Sequence, residues 1–198
     1  MKDFWNERFG NEAYFYGKSP NQFLKDSAHH LPPSSRILCL GEGEGRNAVH
    51  LATLGHQVTA VDLSDEGKKK AELLAQEQHV SLNYIVADLA TFDFGDQKWD
   101  AIISIFCHLP PETRQLVHQK VIKGLKTGGK FIIQSYNPEQ LNFNTGGPKD
   151  INMLYTKEIL LNDFPAFSWK KLENSMEEIQ EGIGHQGMSS LLSGIGVK

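Results

Sequence analysis

The sequence predicts an α/β fold with a mainly parallel β-sheet, on the basis of two observations. From Arg36 onward, short apolar runs alternate with segments whose apolar residues have helical spacing. Strands that alternate with helices in this way form parallel sheets joined by right-handed crossovers. The second observation is a glycine-rich loop directly after the first apolar run, where open sheets of this kind bind their ligands.

The composition fits a single globular domain over residues 1–198. Of the 198 residues, 39% are hydrophobic and 22% are charged, and the formal net charge is -4. This length supports a core without disulfides, and two cysteines do not make a disulfide framework. There is no apolar run of bilayer length and no signal-peptide pattern. We expect a cytoplasmic monomer or homodimer without nucleic-acid or membrane partners.

The first thirty residues are rich in aromatic side chains and are predicted to form a helical lid segment. A linker at residues 29–35, which contains Pro-Pro and Ser-Ser, separates it from a core at 36–198. Tyr14 and Tyr16 are candidates for a lid over a ligand, because aromatic faces stabilise cations. Phe4 and Phe23 are predicted to pack in the core.

The first repeat of the alternation is well defined. Residues 37–40 are continuously apolar, which is typical of a strand buried on both faces. A helix is predicted over 46–54, with Gly55 as its stop, and a second strand over 57–63. Ser64 is predicted to cap the next helix, which extends to about residue 78.

The remaining elements continue the pattern and then depart from it. Strands are predicted at 82–87, 99–106 and 130–136, and helices at 111–125 and 156–164. Gly128-Gly129 is predicted to form a turn before the fifth strand. The last two apolar runs, near 167–180 and 188–197, are separated by too short a segment for a helical crossover. They therefore predict an antiparallel hairpin.

The loop after the first strand reads Gly41-Glu42-Gly43-Glu44-Gly45. Alternate glycines permit a sharp turn and leave no Cβ against a ligand, and the following helix offers unpaired N–H groups. Asp62 ends the second strand about 20 residues later, where a carboxylate accepts hydrogen bonds from the ribose of an adenosine ligand. Asp88 follows the third strand at the same edge. The pattern predicts an adenosine-containing ligand.

Two adenosine ligands are compatible with the loop. Residues 43–48 satisfy the permissive dinucleotide motif G-x-G-x-x-G/A, so an NAD(P)-dependent oxidoreductase is one alternative. However, Glu42 and Glu44 repel a pyrophosphate, whereas they suit a cationic sulfonium. We predict S-adenosyl-L-methionine as cofactor and S-adenosyl-L-homocysteine as product. A catalytically silent module that binds S-adenosylmethionine is a further alternative.

Residues 37–49 and 58–62 resemble motif I and the following acidic motif of class I S-adenosylmethionine-dependent methyltransferases. Other segments are similar to the small bacterial group related to tellurite-resistance and thiopurine methyltransferases: 4–9, 14–21, 105–110, 125–129, 181–182 and 185–187. The resemblance implies a Rossmann-like three-layer α/β/α sandwich. Its sheet would be seven-stranded and mostly parallel, with a C-terminal antiparallel hairpin. Cys39 replaces the acidic residue that many members have before the loop, so no carboxylate contact is expected there.

The resemblance also implies which residues hold the cofactor. The glycines would cradle its methionine part, Asp62 would hold the ribose, and Asp88 would face the adenine amino group. The full expected set is Gly41, Glu42, Gly43, Gly45, Asn47, Asp62, Leu63, Ser64, Asp88, Leu89, Ser104, Ile105 and Phe106.

Methyl transfer from a sulfonium is an in-line displacement, in which the protein aligns the reactants and excludes water. His108, just past the fourth strand, is the candidate general base, and His185 in the tail turn could face the same pocket. Gly146-Gly147 is expected beside the acceptor pocket. The predicted acceptor is a small molecule with a thiol, a chalcogen oxyanion or a related group. Residues 68–70, three lysines, are predicted to be a solvated helix face, and no metal site is expected.

Overall fold

The computed structural model describes residues 1–198 and contains seven strands and six α-helices. The strands are β1 (Arg36–Leu40), β2 (Gln57–Asp62), β3 (Asn83–Val86), β4 (Trp99–Ile105), β5 (Leu125–Tyr136), β6 (Ser168–Glu181) and β7 (His185–Val197). The helices are α1 (Lys2–Phe9), α2 (Gln22–Ser27), α3 (Arg46–Thr53), α4 (Asp65–Glu77), α5 (Pro111–Gly124) and α6 (Lys157–Asp163). Short 3-10 turns lie at Ala28–His30, Pro138–Asn142 and Ile151–Met153.

All seven strands form one sheet in the order β3-β2-β1-β4-β5-β7-β6. The first five strands in this order are parallel, and β7 runs antiparallel to both of its neighbours. The predicted fold class and the C-terminal hairpin are confirmed. Within the sheet, β7 lies between β5 and β6.

Helices cover both faces of the sheet, because successive side chains of a strand point to opposite sides. In β1, Leu38 and Leu40 pack in a cluster that includes residues of α5 and α6, whereas Ile37 and Cys39 pack in a cluster that includes residues of α2, α3 and α4. The chain leaves β1 toward one face and β4 toward the other. Adjacent parallel strands whose connections diverge in this way leave a crevice at their carboxyl ends.

Two boundaries differ from the predictions. Helix α5 ends at Gly124, and Leu125 already pairs with Trp99 in the sheet, so Gly128-Gly129 does not precede the fifth strand. Instead the pairing jumps from Leu125 to Lys130, and the two glycines lie in the resulting irregularity. In the tail, β6 and β7 extend to Glu181 and from His185, which leaves a shorter turn than predicted.

No helix of the structure combines the length and the apolar character that crossing a bilayer requires.

Candidate functional site

A cavity of about 430 Å³ lies at the carboxyl ends of β1 to β4, above the crevice between β1 and β4. Residues that follow each of these four strands line it, and α1 and the segment after it supply part of the wall. Ten of the expected cofactor residues line this cavity: Gly41, Glu42, Gly43, Asn47, Asp62, Leu63, Asp88, Leu89, Ile105 and Phe106. The edge of the sheet therefore brings together side chains that are far apart in the sequence.

Three of the expected residues do not line the cavity. Gly45 caps the N-terminus of α3 and faces α4. Ser64 is fully buried, where its hydroxyl accepts from the Gly67 N–H and donates to Asn6 Oδ1. Ser104 is buried within β4 between β1 and β5. These three residues support the elements that carry the site.

The three loop glycines all have positive φ angles, a conformation that side chains with a Cβ rarely adopt. A Cβ on Gly41 would lie 2.7 Å from Cys107 Sγ, and one on Gly45 would lie 2.5 Å from Ala71 Cβ. A Cβ on Gly43 would lie 3.1 Å from the Phe9 ring. The space beside each glycine is thus taken by the protein itself, which corrects the expectation that the missing side chains make room for a ligand.

The Glu42 carboxylate occupies the N-terminus of α3. Its Oε1 accepts hydrogen bonds from the backbone N–H groups of Asn47, at 3.0 Å, and Ala48, at 2.7 Å. Burial raises the pKa of Glu42 to about 7, although these two hydrogen bonds act against the rise. A dinucleotide needs the free N–H groups of this helix for its pyrophosphate. Because Glu42 already fills that position, the loop is unsuited to a pyrophosphate.

Asp62 fixes the conformation of the loop while it faces the cavity. Its Oδ2 accepts from the Gly43 N–H and its Oδ1 from the Ser64 N–H, both at 2.9 Å. Burial raises its pKa, and the backbone hydrogen bonds partly offset the rise. Since each carboxylate oxygen can accept more than one hydrogen bond, both oxygens still have capacity for hydroxyl donors.

Glu44 anchors the N-terminal segment to the glycine loop. Its carboxylate accepts from the backbone N–H groups of Phe15 and Tyr16 and forms a 2.8 Å ion pair with Lys70. The Glu44 and Lys70 side chains are 1% and 11% exposed, so both charges are buried. The prediction of a solvated lysine face is therefore wrong for Lys70.

The N-terminal aromatic residues divide into three groups. Tyr16 lines the cavity together with Trp5 and Phe9. Tyr14 lies outside it and donates its hydroxyl hydrogen to the Lys70 carbonyl at 2.8 Å. Phe4 is 52% exposed, so its predicted place in the core is wrong, whereas Phe23 packs against the core. The many aromatic residues of the segment indicated that it would cover a ligand site, but they did not indicate which rings would line the cavity.

His108 lines the cavity, but both nitrogens of its ring are already engaged. Its Nδ1 donates to the Phe106 carbonyl at 3.1 Å, and its Nε2 accepts from the Tyr136 N–H at 3.0 Å. Burial lowers its pKa to about 3, so the ring is neutral. A neutral ring whose only lone pair is occupied has no position for a substrate proton. The geometry therefore contradicts the predicted role of His108 as general base.

His185 has the free nitrogen that His108 lacks. Its Nδ1 lies 3.4 Å from Glu181 Oε2, and its Nε2 makes no hydrogen bond within the protein. The ring is packed between those of Tyr16 and Phe106, with both centroid distances at 4.5 Å. Burial lowers the pKa of His185, while the Glu181 carboxylate acts in the opposite direction. His185 is thus an oriented, neutral imidazole at the cavity wall.

A second cavity of about 720 Å³ adjoins the first and shares several of its wall residues. The shared residues are Trp5, Tyr16, Phe106, His108 and His185. Its far side comes from residues 144–149 and 183–186, so Gly146-Gly147 lies beside this cavity, and its use by the acceptor stays a prediction. The two cavities meet at the aromatic rings around His185.

Arg46 is a cavity residue that the sequence reasoning did not identify. Its guanidinium forms a 2.6 Å ion pair with Glu181, and both side chains are almost fully buried. Glu181 also accepts from the Asn21 side chain at 2.9 Å. The partners are 135 and 160 residues apart in the sequence, and no local pattern indicates such pairs.

The comparisons with known proteins agree with this geometry. Residues 37–129 match the family model described as a methyltransferase domain. The chain is 30% identical over 136 residues to a ubiquinone biosynthesis O-methyltransferase of Xanthomonas axonopodis pv. citri (strain 306). That match covers 67% of this chain and 56% of the relative, so the chain spans about half the length of the curated relatives that it matches.

Two solved structures share the fold of the chain at low sequence identity. TehB from Haemophilus influenzae superposes with a TM-score of 0.73 at 17% identity, over 100% of this chain and 66% of that one. The Burkholderia thailandensis 1,6-didemethyltoxoflavin-N1-methyltransferase, solved with bound 1,6-didemethyltoxoflavin and S-adenosylhomocysteine, has a TM-score of 0.63 at 17% identity. That superposition covers 89% of this chain and 79% of the other.

Proposed function

Since the chain carries a methyltransferase domain of the class I S-adenosylmethionine-dependent type, we propose that it transfers the methyl group of S-adenosylmethionine to a small-molecule acceptor. The cofactor would occupy the cavity at the ends of β1 to β4. The acceptor would occupy the adjoining cavity, with a thiol, a chalcogen oxyanion or a hydroxyl as nucleophile.

The observation that carries the choice of cofactor is the position of the Glu42 carboxylate. It fills the N-terminus of α3, where the pyrophosphate of NAD would bind, and it is one of four carboxylates around this cavity. S-adenosylmethionine has no phosphate and carries a positive charge on sulfur. The two cations in the wall, Lys2 and Arg46, are paired with Asp65 and Glu181, so the unpaired carboxylates Asp62 and Asp88 favour a cationic ligand over a pyrophosphate.

The proposed roles of the residues follow from where their atoms lie. Asp62 would accept hydrogen bonds from the ribose hydroxyls, and Tyr16 and Trp5 would exclude water from the reacting centre. The bound cofactor supplies an electrophilic methyl group. His185, whose Nε2 is free, would accept the proton of an acceptor hydroxyl or thiol as that group attacks the methyl carbon.

Titration calorimetry tests the proposed cofactor. We expect S-adenosylmethionine and S-adenosylhomocysteine to bind with micromolar dissociation constants, and NAD to bind at least a hundredfold more weakly. Asp62→Asn should weaken S-adenosylhomocysteine binding at least tenfold, because the amide presents one acceptor fewer to the ribose. Asp93→Asn is the matched control, since Asp93 also accepts a backbone N–H in a loop but lies away from the cavity. Tight binding of NAD instead would refute the proposed cofactor.

An assay for S-adenosylhomocysteine release distinguishes an enzyme from a catalytically silent module. The protein is supplied with S-adenosylmethionine and, in turn, with thiol, selenite, tellurite, phenol and amine acceptors. We expect release that depends on at least one acceptor. Binding of the cofactor without release for any of these classes would favour the silent module.

A further inference from the structure

The second cavity differs from the first in its charge. The first has four carboxylates in its wall, those of Glu42, Glu44, Asp62 and Asp88, and its two cations, Lys2 and Arg46, are each ion-paired with another carboxylate. The second has none, although the chain as a whole carries a net charge of -4. Its charged wall residues are Arg8 and Lys149. We propose that this cavity binds a flat aromatic acceptor that carries a carboxylate or another negative charge; the inference rests on the proposed methyl transfer.

The aromatic part of the proposal follows from the rings that form the wall. Phe106 lies at the centre, with its ring centroid 4.8 Å from that of Tyr136 and 4.5 Å from that of His185. Trp5 and Tyr16 complete the wall where the two cavities meet. Aromatic side chains favour flat, unsaturated ligands that stack or meet them edge to face. A ring held there would present its substituents to the cofactor cavity.

The negative charge of the ligand follows from the environment of Arg8. Its guanidinium lies over the rings of Phe4 and Phe15, at 4.5 and 4.9 Å, and forms no ion pair. One N–H group donates to the Tyr16 hydroxyl at 3.2 Å. The other donors of the guanidinium make no hydrogen bond within the protein. An oriented arginine without a carboxylate partner is suited to hold a ligand carboxylate with two hydrogen bonds.

Lys149 adds a second cation at the rim of the same cavity. It is exposed, and its single polar contact is a 3.4 Å hydrogen bond to Asn144 Oδ1. Of the two histidines in the wall, His185 is buried and His108 is partly buried, and desolvation lowers the pKa of both rings, so they do not add to this charge. Arg8 and Lys149 therefore set the electrostatic preference of the cavity for an anion.

A binding experiment on the full chain saturated with S-adenosylhomocysteine tests this inference without assuming a nucleophile. The probes are 3,4-dihydroxybenzoate, the neutral 3,4-dihydroxybenzamide of nearly the same shape, and the non-aromatic cyclohexanecarboxylate. We expect the benzoate to bind at least tenfold more tightly than either of the others. Its advantage over the amide should shrink as the salt concentration rises.

Three variants test which positively charged residue gives the cavity its preference for the benzoate over the benzamide. Arg8→Gln should weaken benzoate binding about tenfold and leave benzamide binding unchanged. Lys149→Gln should weaken benzoate binding about twofold, because its charge is more exposed to water. Lys170→Gln removes the same charge from an exposed position on β6, away from both cavities, and should change neither affinity.

The outcomes separate the two proposals. Equal affinities for benzoate and benzamide would overturn the preference for an anion, and equal affinities for benzoate and cyclohexanecarboxylate would overturn the aromatic class. If none of the three probes bound the protein saturated with S-adenosylhomocysteine, both the preference for an anion and the aromatic class would be overturned. If S-adenosylhomocysteine itself did not bind in a prior titration, the proposed function would fail, and the acceptor inference with it.

Discussion

His108 and His185 lie in the wall of the same cavity, and their hydrogen bonds give them different chemistry. The lone pair of His108 is used by the Tyr136 N–H, so the ring is a fixed structural link between β5 and the loop after β4. The Nε2 of His185 is free, and a carboxylate lies beside its Nδ1. Residue type and position in the chain do not distinguish the two, because the deciding partners come from other strands.

The difference predicts the pH dependence of the reaction. A general base must be neutral, and burial holds the pKa of His185 below its usual 6.5. With an acceptor found in the release assay, kcat/KM should be constant above pH 6.5 and fall at lower pH as His185 becomes protonated. His185→Gln should lower kcat/KM about a hundredfold or more and abolish this fall at low pH, the acidic limb of the pH profile.

His108→Gln is the comparison variant for this experiment. Because His108 has no free nitrogen, its loss should leave the position of the acidic limb unchanged in whatever fraction of the protein folds. An acidic limb that disappears in His108→Gln and persists in His185→Gln would reverse the assignment.

Much of the candidate site could be predicted at this scale, for a physical reason. Motifs such as the glycine loop and Asp62 are contiguous in sequence, and parallel strands bring their ends to one edge of the sheet. By contrast, Arg46 and Glu181 meet only through the tertiary fold. The hydrogen bonds of Glu42 to the first N–H groups of α3 could not be predicted either, because they depend on how the glycine loop turns back onto the helix.

At the level of elements, the N-terminal segment is fastened to the site by a buried carboxylate. Glu44 holds the N–H groups of Phe15 and Tyr16, and Lys70 brings α4 to the same point while it also donates to the Ala13 carbonyl. Loop, segment and helix therefore depend on one another. Glu44 of the glycine loop therefore fixes the position of the segment that supplies Tyr16 to the cavity.

Glu44→Gln should lower the free energy of unfolding by about 3 kcal/mol, because it leaves the buried Lys70 ammonium without its counter-charge. Glu66→Gln breaks an exposed ion pair with Lys69 on the same helix and should cost less than about 1 kcal/mol. Urea denaturation of the two variants and the parent measures both values. Equal losses for the two variants would contradict the role of Glu44 as an anchor.

Element boundaries were predictable where the local signal decides them. Ser64 caps α4 with its own hydroxyl, and Thr156 caps α6 in the same way, as their positions predicted. The start of β5 was not predictable, because Leu125 joins the sheet through its pairing with Trp99. The glycine pair that looked like a turn is an irregularity in that pairing, and local sequence does not encode the register of a distant strand.

On the scale of the whole molecule, Glu181 joins three parts of the chain. Asn21 from the N-terminal segment, Arg46 from α3 and His185 from the last strand all meet its carboxylate. Burial by itself raises the pKa of Glu181, but the hydrogen bond from His185 and the charge of Arg46 lower it to about 2. The folded state thus favours the ionised carboxylate.

The lowered pKa predicts how stability depends on pH. The contribution of Glu181 is fully present above its unfolded pKa of 4.5 and is lost as the pH falls toward 2. We expect Glu181→Gln to cost about 3 kcal/mol at pH 7 and to flatten the fall in stability between pH 4.5 and 2. Glu178→Gln, an exposed change on the same strand, should do neither. Urea titrations across this pH range decide between these results.

The fold class could be predicted from the sequence because the spacing of apolar residues reports which faces are buried. The match of residues 37–129 to a methyltransferase domain supports the resemblance to class I methyltransferases. The position of the second cavity could be predicted from the sequence only in part. Its walls come from α1, the loop after β5 and the turn between β6 and β7, which no sequence motif places together.

The sheet order has a consequence for synthesis on the ribosome. β6 is made before β7, yet its partner in the sheet is β7 and not β5. A nascent chain that ends before His185 therefore has a finished β6 with no neighbour and a β5 whose outer edge is bare. β7 pairs with both strands at once, so the sheet is completed only after β7 has been synthesised.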